Sequence, residues 1–137
     1  MSGDALGAAM RVAALGLDNE ALRMRVVSEN IANARSTGDA PGEAAYRRKT
    51  VSFAEVTGTP RDGPRVRVAT DRSALPLAYQ PGHPAADARG MVAMPNVSML
   101  TEIADMREAT RAYEANVQVL RQTRDLVNTT IDLLRTR

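Results

Sequence analysis

Apolar side chains recur along the last third of the chain at alternating steps of four and three residues. Met106, Thr110, Tyr113, Val117, Leu120, Arg124, Val127, Ile131 and Leu134 form this ladder, and neither Gly nor Pro occurs between Val97 and Arg135. Such steps define a heptad seam. They predict a single helix from Val97 to Arg135, roughly 58 Å long at the usual helical rise. Globular helices seldom run past about 20 residues, so a stripe of this length calls for a partner helix. A second ladder lies at the other end of the chain, in Met10, Ala13, Leu17, Glu20, Met24, Val27, Ile31 and Ala34. It predicts a helix from Asp4 to Asn33, stopped by Ser36-Thr37-Gly38 and Pro41-Gly42. Gly7 and Gly16 interrupt that helix, each at about 1 kcal/mol relative to Ala, so it is marginal alone and ordered by what it packs against.

Between the ladders the pattern changes. Tyr46–Val56 is rich in β-branched and aromatic residues, and Arg65–Thr70 alternates Arg with Val. The pair reads as a β-hairpin connected through Thr57–Pro64. Leu75–Tyr79 contains a proline and is at best an edge strand. Gln80–Gly90 holds Pro81-Gly82-His83-Pro84, a rigid loop. Pro95-Asn96-Val97-Ser98 then starts the last helix, with Asn96 or Ser98 supplying the capping oxygen and Glu102 and Asp105 in the first turns.

The expected fold is therefore mainly α, with long N- and C-terminal helices forming an antiparallel, coiled-coil-like hairpin around a small β-hairpin and loop insertion. Residues 1–36 form the N-terminal assembly helix and 37–95 the β-rich middle segment. Residues 96–137 form the C-terminal helix, one structural unit with the first. Each ladder has one charged rung, Glu20 and Arg124. Aligning the two sets Met10 opposite Leu134, Leu17 opposite Val127, Met24 opposite Leu120 and Ile31 opposite Tyr113. On this register Glu20 and Arg124 help to hold the hairpin, whether it forms within one chain or between two, unless both side chains reach outward to water. Removing residues 1–30 is expected to stop assembly and leave the middle segment folded.

Composition narrows what such a chain does. At 137 residues and a net charge of +2 it is one domain in length, and its basic charge is almost all arginine, with Lys49 the single lysine. Those arginines are scattered, which argues against a nucleic-acid stripe. Tyr46, Phe53, Tyr79 and Tyr113 are the whole aromatic supply, too few for a large self-sufficient core. Absence of cysteine removes disulfides and thiolate metal sites. No basic-then-apolar leader opens the chain and no apolar run is long enough to cross a bilayer, so neither a cleaved signal nor membrane insertion is expected.

Candidate chemistry is sparse. His83, the single histidine, has one nearby carboxylate in Asp87, which makes neither a metal site nor a triad. Glu102, Asp105, Glu108 and Glu114 are interleaved with Arg107, Arg111 and Arg121 and read as a solvated face of i,i+3 and i,i+4 pairs. Arg47-Arg48-Lys49 reads either as a phosphate contact or as charges that deter edge pairing of a strand. No phosphate loop or nucleophile elbow occurs, so no enzyme and no cofactor are expected. Asn30, Asn33 and Asn116 stand out in their helices. They read either as caps and turns or as amides that bond a neighbouring chain in a dry interface.

At these residues a family is discernible. Ser28-Glu29-Asn30-Ile31-Ala32-Asn33-Ala34 resembles the N-terminal signature of the flagellar axial proteins, and Arg111-Ala112-Tyr113-Glu114-Ala115-Asn116-Val117 resembles their C-terminal one. The stretch from Tyr79 to Val97 is similar to the loop of proximal-rod members, and Tyr46-Arg47-Arg48-Lys49 fits the same group. The family often has Asn at His83, an aromatic at Met91, Asp at Ser98 and Pro at Ala45. The resemblance implies a structural subunit of the flagellar basal-body rod, exported unfolded through the flagellar type III apparatus and lodged across the periplasm. It implies that the terminal helices form an inner layer around the export channel. The implied partners are copies of itself, other rod subunits, the basal-body membrane ring with its adaptor, and the export apparatus. Met10, Ala13, Leu17, Glu20, Met24, Val27, Asn30, Ile31 and Asn33 would then line the assembly interface. So would Met106, Tyr113, Asn116, Val117, Leu120, Arg124, Val127, Ile131 and Leu134. The competing reading is a cytoplasmic coiled-coil adaptor or chaperone, which accounts for the helices and not for the Pro-Gly-His-Pro loop.

Overall fold

A computed structural model of the chain describes residues 2–54 and 65–135. Among them are two long helices, α1 (Ser2–Ala32) and α2 (Met99–Arg135), at the two ends of the chain. Four short strands lie between: β1 (Lys49–Ala54), β2 (Arg65–Thr70), β3 (Leu77–Tyr79) and β4 (Met91–Ala93). The molecule is mainly α, as the two ladders predict. β1 and β2 form an antiparallel pair running from Lys49 opposite Thr70 to Ala54 opposite Arg65. Its expected connection, Thr57–Pro64, lies outside the described residues.

β3 and β4 make a second antiparallel pair, with Leu77 opposite Ala93 and Tyr79 opposite Met91. The pattern gave no strand at β4, because three residues are too few to show an alternation. What holds this hairpin is its turn. Asp87 Oδ1 accepts from the backbone N–H groups of Arg89 and Met91, at 2.8 and 2.9 Å. Gly90 follows with φ 74°, and its Cα lies so close under Tyr79 that a Cβ there would sit 2.9 Å from the ring.

Both helices begin and end where the local chemistry directs. Ser98 is the N-cap of α2: its carbonyl accepts from Glu102 N–H and its Oγ faces Thr101 N–H at 3.5 Å. Asn96, the other candidate, is used elsewhere and accepts from Arg48 N–H at 2.8 Å. α1 ends in an amide wrap, where Asn33 Nδ2 donates to the Glu29 carbonyl and Asn33 Oδ1 accepts from Ser36 Oγ.

The helices lie antiparallel, but not in the register that the charged rungs suggested. Asn30 meets Glu102 at the base of the hairpin, and Gly16 meets Asn116 fourteen positions away along each helix. Compared with the pairing that put Ile31 opposite Tyr113, α2 is displaced by about three turns, roughly 18 Å. Glu20 therefore does not reach Arg124. Its charged neighbour is Arg23 one turn on, 3.9 Å away, while Arg124 is exposed.

Each helix is also rotated by about one residue. The column Ala13, Glu20, Val27 stays in the α1 seam, but its companion is Gly16, Arg23, Asn30 in place of Leu17, Met24, Ile31. On α2, Met106, Tyr113, Leu120 and Val127 stay, joined by Glu102, Ala109, Asn116 and Thr123. Of these last four, Glu102, Ala109 and Thr123 are buried. Small side chains let two backbones approach, and the larger apolar ones then pack along the flank. Met24 illustrates this, with its sulfur 3.7 Å from Thr110 Oγ1.

Candidate assembly surface

The sequence-predicted interface residues divide by position along the hairpin. At the base they are drawn into the molecule itself. Asn30, 1% exposed, donates through Nδ2 to the Lys49 carbonyl (2.8 Å) and to Glu102 Oε2 (2.9 Å). Its Oδ1 accepts from Lys49 N–H and from the Tyr46 hydroxyl, both at 2.9 Å. All four hydrogen-bonding positions of the amide are thus used within one chain. Asn33 serves the helix cap, and Asn116 packs against Gly16.

Glu102 corrects the reading of a solvated acidic face. It is 0% exposed and accepts from Asn30 and from Arg48 Nε. Arg48 also reaches Asp105 Oδ2 at 3.2 Å, so it is neither a phosphate contact nor an edge charge. Its guanidinium is held above its ordinary range, first by the hydrogen bond to Glu102. Lys49 pairs with Glu29, and that bond raises its pKa. Burial, followed by the charge of Glu29, raises the Tyr46 phenol from 10.0. On the far side Arg23 bridges Asp105 and Glu108, at 3.7 and 3.0 Å. Sequence reasoning missed this joint because its residues come from three elements and look like ordinary surface charges one at a time.

A cleft of about 410 Å³ opens beside the joint, lined by Arg23, Arg48 and Lys49 and by Glu102, Asp105 and Glu108, with Val26, Val27, Thr50 and Val51. Its charges neutralise one another. His83 is also a structural piece: Nδ1 accepts from Ala85 N–H and Nε2 stands 3.3 Å from Thr37 Oγ1. Among the described residues no group of His, Cys, Asp and Glu is arranged to hold a metal. No helix is long and apolar enough to cross a membrane.

Burial falls off along the hairpin. Ala13 and Val27 are buried in the seam, and Leu17, Met24, Ile31, Met106, Tyr113, Val117, Leu120 and Val127 are half-buried. Met10, Ile131 and Leu134 are exposed, and several large apolar residues that no ladder singled out join them. Val12 is 69% exposed, Leu126 57% and Leu133 67%. The end of the hairpin farthest from the strands thus carries apolar side chains on more than one flank. Exposed apolar surface of this extent marks a site of association.

Known proteins are similar to this chain over nearly their whole length. The chain is 56% identical over 135 residues to the flagellar basal-body rod protein FlgC of Agrobacterium fabrum, covering 96% of this chain and 97% of that one. FlgC of Borreliella burgdorferi is 36% identical over 149 residues, covering 94% and 97%. FlgC of Bacillus subtilis is 34% identical over 142 residues, covering 90% and 95%. Residues 88–133, from the β3–β4 turn through most of α2, match the family model described as flagellar basal body rod FlgEFG protein C-terminal.

Proposed function

This chain belongs to the FlgC family of flagellar basal-body rod proteins and is a structural subunit of the bacterial flagellar rod; we propose that it polymerises through its terminal helices into the proximal part of that shaft. The apolar end of the hairpin carries this reading. Leu126, Ile131, Leu133 and Leu134 are large, exposed and gathered where α1 and α2 both end. Contacts that join one end or flank of a molecule to a different one on the next copy do not close on themselves, and they generate a helical array. The shaft encloses the export channel, and its subunits reach it through the flagellar type III apparatus. Copies of itself, other rod subunits, the basal-body ring with its adaptor and the export apparatus are its partners. We assign no reaction to it, in keeping with relatives that are rod proteins.

The test changes the apolar end alone. Leu126→Glu with Leu133→Glu alters two exposed positions, so the purified chain keeps its stability to within about 0.5 kcal/mol. Cells carrying this variant should be non-motile, and electron micrographs of their basal bodies should show the rod missing. Normal swimming by those cells would sink the reading.

A further inference from the structure

The joint and the seam hold α1 on α2 in different ways. Along the seam Gly16 faces Asn116, Ala109 and Thr123 are buried nearby, and the larger Met106, Tyr113, Leu120 and Val127 are only half-buried. The buried apolar residues of α1 are Ala13, Val26 and Val27, two of them beside the joint. At the joint, in contrast, β1 and Arg48 just before it reach both helices. Arg48 binds Glu102 and Asp105 of α2, and Lys49 binds Asn30 through its backbone and Glu29 through its ammonium group. Asn30 and Glu102 join the two helices directly, beside the Arg23 bridge to Asp105 and Glu108, and are completed by Lys49 and Arg48 respectively.

We propose that this Arg48–Glu102–Asn30 cluster is a latch, through which the middle segment decides whether α1 lies along α2. With Arg48 in place the Glu102 carboxylate is neutralised and the hairpin is closed. When Arg48 withdraws, a buried charge is left half-paired, and the least costly relief is for α1 to lift away and admit water. The seam, whose larger apolar residues are only half-buried, does not by itself hold α1 down. The β3–β4 hairpin is held by its own contacts, Gln80 N–H to the Gly90 carbonyl and Met94 N–H to the Pro76 carbonyl, and does not depend on the latch. Release of α1 presents its seam and its exposed Val12 flank to another helix, so the same segment serves a closed subunit and an opened one. The proposal concerns the isolated chain and stands apart from how subunits pack.

Amide hydrogen exchange on the purified full chain tests it. Arg48→Met should speed exchange across α1 on the order of a hundredfold, with Gln80, Gly90 and Met94 as protected as before. Arg48→Lys should restore part of the α1 protection. Arg48→Met combined with Glu102→Leu should restore most of it, since the buried charge is then gone and its space filled. Equal α1 exchange in the parent and Arg48→Met chains would overturn the latch, because the seam would then set the pairing alone. Simultaneous loss of protection in α1 and in β3–β4 would overturn it as well, showing one cooperative unit. Failure of the double variant to recover would do the same.

Discussion

Asn30 has two N–H donors and two acceptor lone pairs on its amide, and all four are used inside the chain. Asn30→Ala leaves the Lys49 backbone, the Tyr46 hydroxyl and one Glu102 oxygen without their partner in a site that water barely reaches. A loss of about 3 kcal/mol is expected in urea unfolding, and Asn30→Asp should be worse because it sets a second carboxylate beside Glu102. Tyr46 adds a pH dependence. Its phenol titrates above 10.0 when folded, so it holds its proton more tightly in the native state. Its contribution to stability is complete below pH 10 and is lost as pH rises through the raised value. Lys49, raised by Glu29, acts in the same direction. A difference titration of phenolate absorbance between the parent chain and Tyr46→Phe checks the shift. On the acid side Asp87 is held below 3.8, chiefly by the backbone N–H groups of Met91 and Arg89. What it gives the β3–β4 turn is present above pH 3.8 and fades as pH falls below it.

At the scale of the element, α1 and α2 were legible because a long run of four-and-three steps has few other solutions. β1 and β2 showed through residue type. The register was not legible. Large apolar side chains drew the seam toward Leu17, Met24 and Ile31, whereas it runs through Gly16, set against the Asn116 side chain, and the buried Ala109. Periodicity reports that a helix has a stripe and gives its direction only to about one residue. The joint was hidden for another reason: Arg48, Glu102 and Asn30 are far apart in sequence and each has an ordinary surface explanation. Two measurements examine the observed register. The exchange Glu20→Arg with Arg124→Glu should give no rescue over the single variants, because the two residues are far apart. Gly16→Ala alone should gain little, since its Cβ would come within 2.7 Å of Asn116 Nδ2. Combined with Asn116→Ala it should gain about 1 kcal/mol from helix propensity. A single variant as stable as the double would show that the helices are not in close approach there.

Across the whole molecule, the strands and the helices share one joint, and this changes what truncation should do. Removing residues 1–30 was expected to spare the middle segment. It also removes Val26, Val27 and Asn30, which cover β1 and Glu102, so β1 and β2 should lose their exchange protection. Removing residues 1–20 leaves those three in place. That shorter deletion should keep the strands protected and still prevent rod formation, read by amide exchange and by microscopy of basal bodies. If both deletions leave the strands equally protected, the joint is not what orders them.

The bond pair between Asn30 and Lys49 has one more consequence. Lys49 turns its backbone N–H and C=O away from β2, as the Arg48 carbonyl bonded to Asp71 N–H requires. A carboxamide occupies that outward pair, with the donor and acceptor that a third strand would offer. One side chain thus plugs the rim of the sheet, and a chain crowded among identical copies cannot use this rung to recruit a stranger into amyloid-like stacking.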